Sequence, residues 1–376
     1  GPDMQLLTSI VTYAVPFLIV LTVLVFVHEL GHYWVARRNG VRIETFSIGF
    51  GPELFGRNDR HGTRWKVSAV PLGGYVKMLG DADAASATVD LVHARDPDSF
   101  PSKSVWQRMA IVAAGPLANF AFAIVALAIL FAAVGRPFTP AEVGTVQPDS
   151  PAAAAGLLPG DRITAVDGQP IASFEELQGV VFASDGRPLR VSIERSGEPL
   201  DLTVTPTVQG DTDRFGTQRQ VWRIGVSRPG VEYRRSSPFL ALFEATAETG
   251  RMITGTLHAL GEMIVGKRGT QELGGPLRIA QMSGQIAQDG FVPALWFTAV
   301  LSINLGLINL FPIPMLDGGH LAMYGIEAAR GRPLNERSQE IAFRFGLAMV
   351  LSLMVFATWN DVVQFGWVER LLNLIS

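Results

Sequence analysis

From Met4 to Val27 the chain carries no charged residue. At ~1.5 Å per helical residue such a run crosses a bilayer core of about 30 Å. In hydrocarbon every backbone polar group must be satisfied within the protein, so a single spanning segment has to be a helix. Comparable runs extend from Met109 to Val134 and from Phe291 to Leu316, and a shorter one, Phe345 to Asn360, continues past Asp361 to Val368. Four transmembrane helices are predicted. Composition agrees, because charged residues make up only 17% and hydrophobic ones 48%, against roughly 25% charged in soluble domains. A net charge of -3 gives no reason to expect a nucleic-acid partner. The absence of cysteine excludes disulfides and thiolate ligands, so a metal here would need nitrogen and oxygen donors.

Arginines and lysines set the direction of the spans. The stretch Arg37 to Arg108 holds eleven of them, and the connection between the third and fourth runs holds Arg330, Arg332 and Arg337. The positive-inside rule places both connections in the cytoplasm and the amino terminus and the 135–290 connection outside. The first and third spans then run in the same direction and end at the same depth.

At the inner end of the first run stands His28-Glu29-Leu30-Gly31-His32. Positions i and i+4 share a helix face, so the two imidazoles can meet one metal while Glu29 lies beside it. Zinc so held lowers the pKa of its water to about 7, and a carboxylate can take the remaining proton during attack on a carbonyl. Ionisable groups at bilayer depth are costly and generally mark function. At the matching level of the third span lies Asn309-Leu310-Phe311-Pro312-Ile313-Pro314-Met315-Leu316-Asp317-Gly318-Gly319-His320. Asp317 is the expected third zinc ligand and His320 the competing donor. Pro312 and Pro314 should break the helix and imply a protein-lined cavity. Asn309 is assigned to substrate backbone and Asn304 to helix packing. His61, His93 and His258 are assigned to surface or packing roles.

Between the first two spans, Arg64–Val70 and Tyr75–Met78 flank Pro71-Leu72-Gly73-Gly74 and read as two strands joined by a glycine turn, with Gly49–Phe55 alongside. A helical substrate must unwind before hydrolysis, and a free strand edge would replace its lost backbone bonds. Val67, Ala69, Gly73 and Gly74 are the substrate contacts expected there; an ordinary cytoplasmic hairpin is the competing reading. Outside, Ala141–Val146, Ser150–Ile163, a helix over Ser173 to Ala183 and strands near Leu189–Glu194 and Leu200–Pro206 resemble a PDZ domain of the circularly permuted bacterial type. Its groove either binds a peptide terminus or serves as a steric filter. Apolar positions Phe239, Leu242, Phe243, Ile253, Leu257, Leu260 and Ile264 predict an amphipathic helix at the membrane surface, followed by another near Leu277 to Ala287; the pair reads as a gate or as plain packing. Residues 81–98 are expected to be a flexible loop.

Taken in order, the HELGH motif, Gly49-Phe50-Gly51-Pro52, Pro71 through Met78, Ala114-Gly115-Pro116-Leu117-Ala118-Asn119 and Asn309 through Gly319 make the chain similar to the site-2 protease family of intramembrane zinc metalloproteases. The resemblance implies that Glu29 is the catalytic base, that His28, His32 and Asp317 bind Zn2+, and that Asn309 and Pro314 help hold the substrate. It implies a bacterial inner-membrane enzyme cutting single-pass membrane proteins, of anti-sigma-factor or remnant signal-peptide type. The best-known relative has two tandem PDZ domains; one is read here. The fold expected is a polytopic α-helical membrane protein with four transmembrane helices, a membrane-associated β-hairpin and one extracytoplasmic α+β PDZ domain. Its expected division is 4–38, first span with zinc motif; 39–104, hairpin loop; 105–135, second span; 138–208, PDZ; 209–290, amphipathic region; 291–316, third span; 317–341, inner loop; 342–368, fourth span. The competing functions are a membrane zincin acting on other substrates, with a downstream glutamate as third ligand, and a PDZ-bearing adaptor with an inactive metal site.

Overall fold

The computed structural model describes residues 2–80, 92, 95–212, 218–266 and 274–364. The chain divides into two compact units, one of residues 1–129 with 239–376 and one of residues 130–238.

In the first unit, α1 (Pro2–Arg38), α2 (Val105–Ala133), α7 (Phe291–Asn309) and α9 (Glu336–Gln364) contain the helices long and apolar enough to cross a membrane. The fourth expected span ends at Val368; residues 365–368 lie outside the described ones, as do His93 and most of the expected 81–98 loop. Gly31 lets α1 and α2 approach closely, since a β-carbon there would sit 2.3 Å from Ala114 O and 2.7 Å from Ala118 Cβ. α7 stops at Asn309, and Leu310–Leu316 is irregular because Pro312 and Pro314 offer no N–H. Asp317 then opens α8 (Asp317–Arg330), a helix where a loop is expected from sequence. Its Gly318-Gly319 start lowers helix propensity but permits a close fit: β-carbons there would meet Leu310 O and Phe311 O at 2.2 Å and Ile313 O at 2.3 Å.

The inner β-structure differs from the simple hairpin. β1 (Ile43–Asn58) and β2 (Arg64–Met78) are long, bent, antiparallel strands joined at Asp59–Thr63, and Pro71–Gly74 lies within β2. Phe46 pairs with both Val76 and Trp65, and Val67 pairs with both Ile48 and Phe55. Arg64–Val67 and Gly74–Met78 therefore do not pair with each other; they flank Thr45–Ile48 on opposite sides. Glycines with positive φ at 49, 51 and 73 permit the bends that fold one ribbon into four rungs. Phe46 stacks on Trp65 at 4.2 Å between ring centroids, and Tyr33 of α1 packs edge-on to both.

α5 (Pro238–Ile264) turns small residues, Ala241, Ala245 and Thr249, toward protein and leaves Phe239, Phe243 and Ile264 exposed, as a membrane-surface helix would. α6 (Pro276–Gln288) packs Gly284 against Tyr13 of α1, and the buried Asp361 of α9 accepts hydrogen bonds from Gly275 and Arg278 N–H groups at its start.

The second unit has a PDZ arrangement. A four-stranded antiparallel sheet, in order β5 (Gln169–Pro170), β4 (Arg162–Val166), β6 (Leu189–Arg195), β7 (Glu198–Val204), packs beside α4 (Phe174–Phe182). Alternation explains β6: Leu189, Val191 and Ile193 are buried against Phe174, Leu177 and Val181, while the residues between them face outward. Ser173 caps α4 through Glu176 N–H, and Glu176 reaches back to Ala172 N–H. α3 (Pro151–Ala154), the paired β8 (Thr207–Thr212) and β9 (Gln218–Arg223), and β10 (Glu232–Arg234) against β3 (Arg136–Phe138) complete the unit, which runs on past residue 208. Ile224–Ser227 exchanges backbone bonds with Gly144–Gln147 and Ala152.

Candidate metal centre

α1 brings His28 and His32 to one face, and α8 presents Asp317 to them from its first turn. His28 Nε2 and His32 Nε2 are 3.0 and 3.5 Å from Asp317 Oδ2 and 3.1 Å from each other. Among the described residues these three form the one group of His, Asp or Glu whose donor atoms all lie within 4.8 Å of one another.

The second span sets the orientation of both rings. His32 Nδ1 is 2.9 Å from Ile111 O, which can only accept, so Nδ1 carries the proton and Nε2 is left with its lone pair. His28 Nδ1 is 3.1 Å from the Asn119 side-chain amide. The atom in contact is Nδ2, while Oδ1 is buried without a partner; turning the amide end for end would give Oδ1 the Nδ1–H as its donor and His28 the same tautomer as His32. Nε2 of both rings and Asp317 Oδ2 thus converge on one point, and Oδ2 is buried without a hydrogen-bond partner. A divalent cation satisfies all three, and two imidazoles with one carboxylate are a zinc-type donor set. Gly115 makes the room: a β-carbon there would lie 2.3 Å from His32 Nε2 and 2.9 Å from His28 Cε1.

Beside the donors lies a cavity of about 210 Å³ lined by Glu29, Gly74, Tyr75, Val76, Met78, Phe100, Val112, Asn309, Met315, His320 and Tyr324. The Val76 N–H, on the outer edge of the inner sheet, donates to the Glu29 carboxylate. Met315 holds φ +85°, a conformation rare for a side-chain-bearing residue, and turns the irregular segment toward Asp317.

The other expected site residues separate into two groups. Asn309 lines the cavity, with its amide donating to Leu305 O at 3.0 Å, and Gly74 lines it too. Gly73 packs on the Phe50 ring. Val67, paired on both sides within the sheet, and Ala69 are exposed and do not line the cavity. Pro314 packs against Gly346 of α9 instead. His320 lines the cavity but lies outside the donor triad, with its ring 6.3 Å from that of Tyr324. Asn304 accepts from Thr256 of α5 at 3.4 Å, a packing contact. His61 sits exposed in the β1–β2 turn, and His258 faces Glu262 on exposed α5. Reading the sequence by spacing missed Asn119, Ile111 and Gly115. The available signal was an Asn four residues after a Gly inside an apolar span.

Fold and site together define a polytopic membrane zinc hydrolase. The model for peptidase family M50 matches residues 16–353. A protein of Agrobacterium fabrum named as a zinc metalloprotease is 48% identical over 359 residues, covering 93% of this chain and 95% of its own. The regulator of sigma E protease of Salmonella typhi is 34% identical over 452 aligned positions, 94% of this chain and 99% of its own; that alignment is longer than the 376 residues here, so the Salmonella protein has residues inside the matched span that this chain lacks. The PDZ domain of an SdrC-like protein from Listeria monocytogenes aligns over 24% of this chain and 88% of its own, at 23% identity and TM-score 0.20. The chain belongs to peptidase family M50, the site-2 proteases, and is an integral-membrane zinc metalloprotease.

Proposed function

We propose that this chain hydrolyses peptide bonds within transmembrane segments of single-pass membrane proteins, with zinc held by His28, His32 and Asp317 and with Glu29 as general base. The observation that carries the assignment is the convergence of two imidazole nitrogens and a carboxylate oxygen beside a second carboxylate that lines the same cavity.

Zinc bound there supplies Lewis acidity and lowers the pKa of a water molecule to about 7. Glu29 takes a proton from the attacking water and passes it to the leaving amine, a role typically worth 10²–10⁴-fold. The Val76 N–H anchors that carboxylate on the sheet edge. Among the described residues Gly74–Met78 has a partner strand on one side, Thr45–Ile48, and Gly74, Tyr75, Val76 and Met78 line the cavity. An unwound substrate added to that edge recovers backbone hydrogen bonds it loses from its own helix, next to the reacting carbonyl. Gly74 lets this edge strand lie close on α1 beside Glu29: any side chain there would collide with Val25 and Ser47 O. Asn309 supplies a further polar contact to the extended segment.

The excess of Arg and Lys after α1 and after α8 supports a cytoplasmic placement of the zinc end, with the amino terminus and the PDZ unit outside. The similarity to a regulator of sigma E protease supports a bacterial inner-membrane setting and substrates such as anti-sigma factors or remnant signal peptides. The PDZ unit serves as a steric filter that admits substrates already stripped of their outer domains.

The test is cleavage of a tagged single-pass substrate by purified, detergent-solubilised protein, compared with Glu29→Gln at equal bound zinc. Cleavage by the parent alone is expected. Equal cleavage by both would remove Glu29 from the chemistry.

A further inference from the structure

Two of the three zinc donors take their orientation from α2. Ile111 O orients His32 and Asn119 orients His28. Asp317 has no such neighbour on α2. It stands at the start of α8, behind an irregular segment, and the residue before it, Leu316, provides no side-chain cap. Its placement depends on what holds α8 as a body.

Besides the packing of Leu321 and Tyr324 on the core that includes Ile111 and Val112, one polar contact between α8 and α2 lies near the other end of that helix. Arg108, in the first turn of α2, reaches Glu327 with Nη2 2.6 Å from Oε1, and both side chains are about one-sixth exposed, at 15% and 17%. The same guanidinium lies 4.7 Å from the centroid of the Tyr324 ring, and its Nε donates to Lys103 O. Tyr324 in turn lines the zinc cavity and packs near Phe100 and His320. Glu327 is ten residues from Asp317, or about 15 Å along a helix. Mostly buried, hydrogen-bonded and backed by a cation–π contact, this pair is of the kind that fixes geometry, unlike an exposed ion pair.

We infer that the Arg108–Glu327 pair, with Tyr324 beneath it, is a positioning device that holds α8 against α2 and thereby sets Asp317 at the correct reach from the two histidines. Arg108 and Glu327 act through Asp317 and touch neither metal nor substrate. The inference rests on the zinc reading above.

The experiment measures zinc affinity by chelator competition on the full-length protein, together with the thermal unfolding of the zinc-free form. The variants are Arg108→Glu, Glu327→Arg, the double swap and the milder Glu327→Gln. Each single charge reversal should weaken zinc binding 10–100-fold, as loss of an outer-shell support does. The double swap should recover it to within a fewfold, and Glu327→Gln should fall between. Zinc-free unfolding temperatures should stay close to the parent's. Unchanged affinity in the singles, failure of the swap to recover it, or affinity losses that track zinc-free stability would each overturn the proposal. Should a single reversal fail to fold, the swap and Glu327→Gln decide it alone. A parent that binds no zinc overturns the zinc reading as well, whereas a zinc-binding parent with no swap pattern overturns only the clamp.

Discussion

Gly115 lies directly under the His32 imidazole, so close that a β-carbon would stand 2.3 Å from Nε2 and 2.5 Å from Cε1. In an ordinary helix interior, Gly→Ala is stabilising by roughly 0.5–1 kcal/mol. Here the same change must push both rings off the metal. Gly115→Ala should therefore leave the zinc-free unfolding temperature unchanged or slightly raised while zinc content and cleavage collapse. Metal analysis of the purified variant checks this; full zinc with full activity would mean the rings can move aside.

Asn119 is the side-chain contact of His28 at Nδ1, the nitrogen turned away from the other donors. Asn119→Ala leaves Nδ1 buried without its partner and frees the ring to change tautomer and orientation. Zinc affinity should drop about 10–100-fold. Chelator competition reads this directly, and an unaltered affinity would mean that the tautomer is set elsewhere.

These residues show where sequence reading stops. The HELGH spacing, the four uncharged runs and the PDZ unit's alternating strand and capped helix are local patterns, and each is legible because its period or spacing belongs to one segment. Asn119 and Gly115 matter through distance to a helix some ninety positions away, which no local pattern records. The inner sheet was half legible. Its strand segments are apparent, but the partner of Tyr75–Met78 is Thr45–Ile48 because glycine bends double the ribbon over, and register follows three-dimensional curvature. α8 was hidden by Gly318 and Gly319, whose low propensity is outweighed by their close fit against Leu310–Ile313.

Asp59 ties the sheet to the zinc helix. Its Oδ1 accepts from the His61 and Thr63 N–H groups, and its Oδ2 accepts from Trp65 Nε1 and from Tyr33 Oη on α1, at 2.8–3.2 Å. Asp59→Ala removes the turn's internal bonds and the tie together. Zinc binding should persist, because no donor is touched, whereas kcat/KM should fall about tenfold, corresponding to ~1.4 kcal/mol of lost positioning. Tyr33→Phe, which deletes the tie alone, should show a smaller loss. Hydrogen exchange of the 59–66 amides gives an independent reading of the loosened turn.

Asp161 gives the PDZ unit an acid sensitivity of its own. Its carboxylate is 1% exposed, takes two hydrogen bonds of 2.8 Å from Arg195 and accepts the Leu158 N–H. The Arg195 hydrogen bonds, against an opposing effect of burial, hold its pKa below the ordinary carboxylate value. A depressed folded-state pKa contributes stability that is fully present above the unfolded value, about 3.9, and is lost as pH falls from there through the folded one. Amides around 158–163 and 193–195 should therefore stay protected near neutrality and open below about pH 4, after correction for intrinsic exchange. Asp161→Asn should flatten that dependence and lower protection at pH 7 by an amount on the order of 2 kcal/mol, since Arg195 keeps its charge and loses its counter-ion. Persistence of the full acid response in Asp161→Asn would place its origin in another carboxylate of the unit.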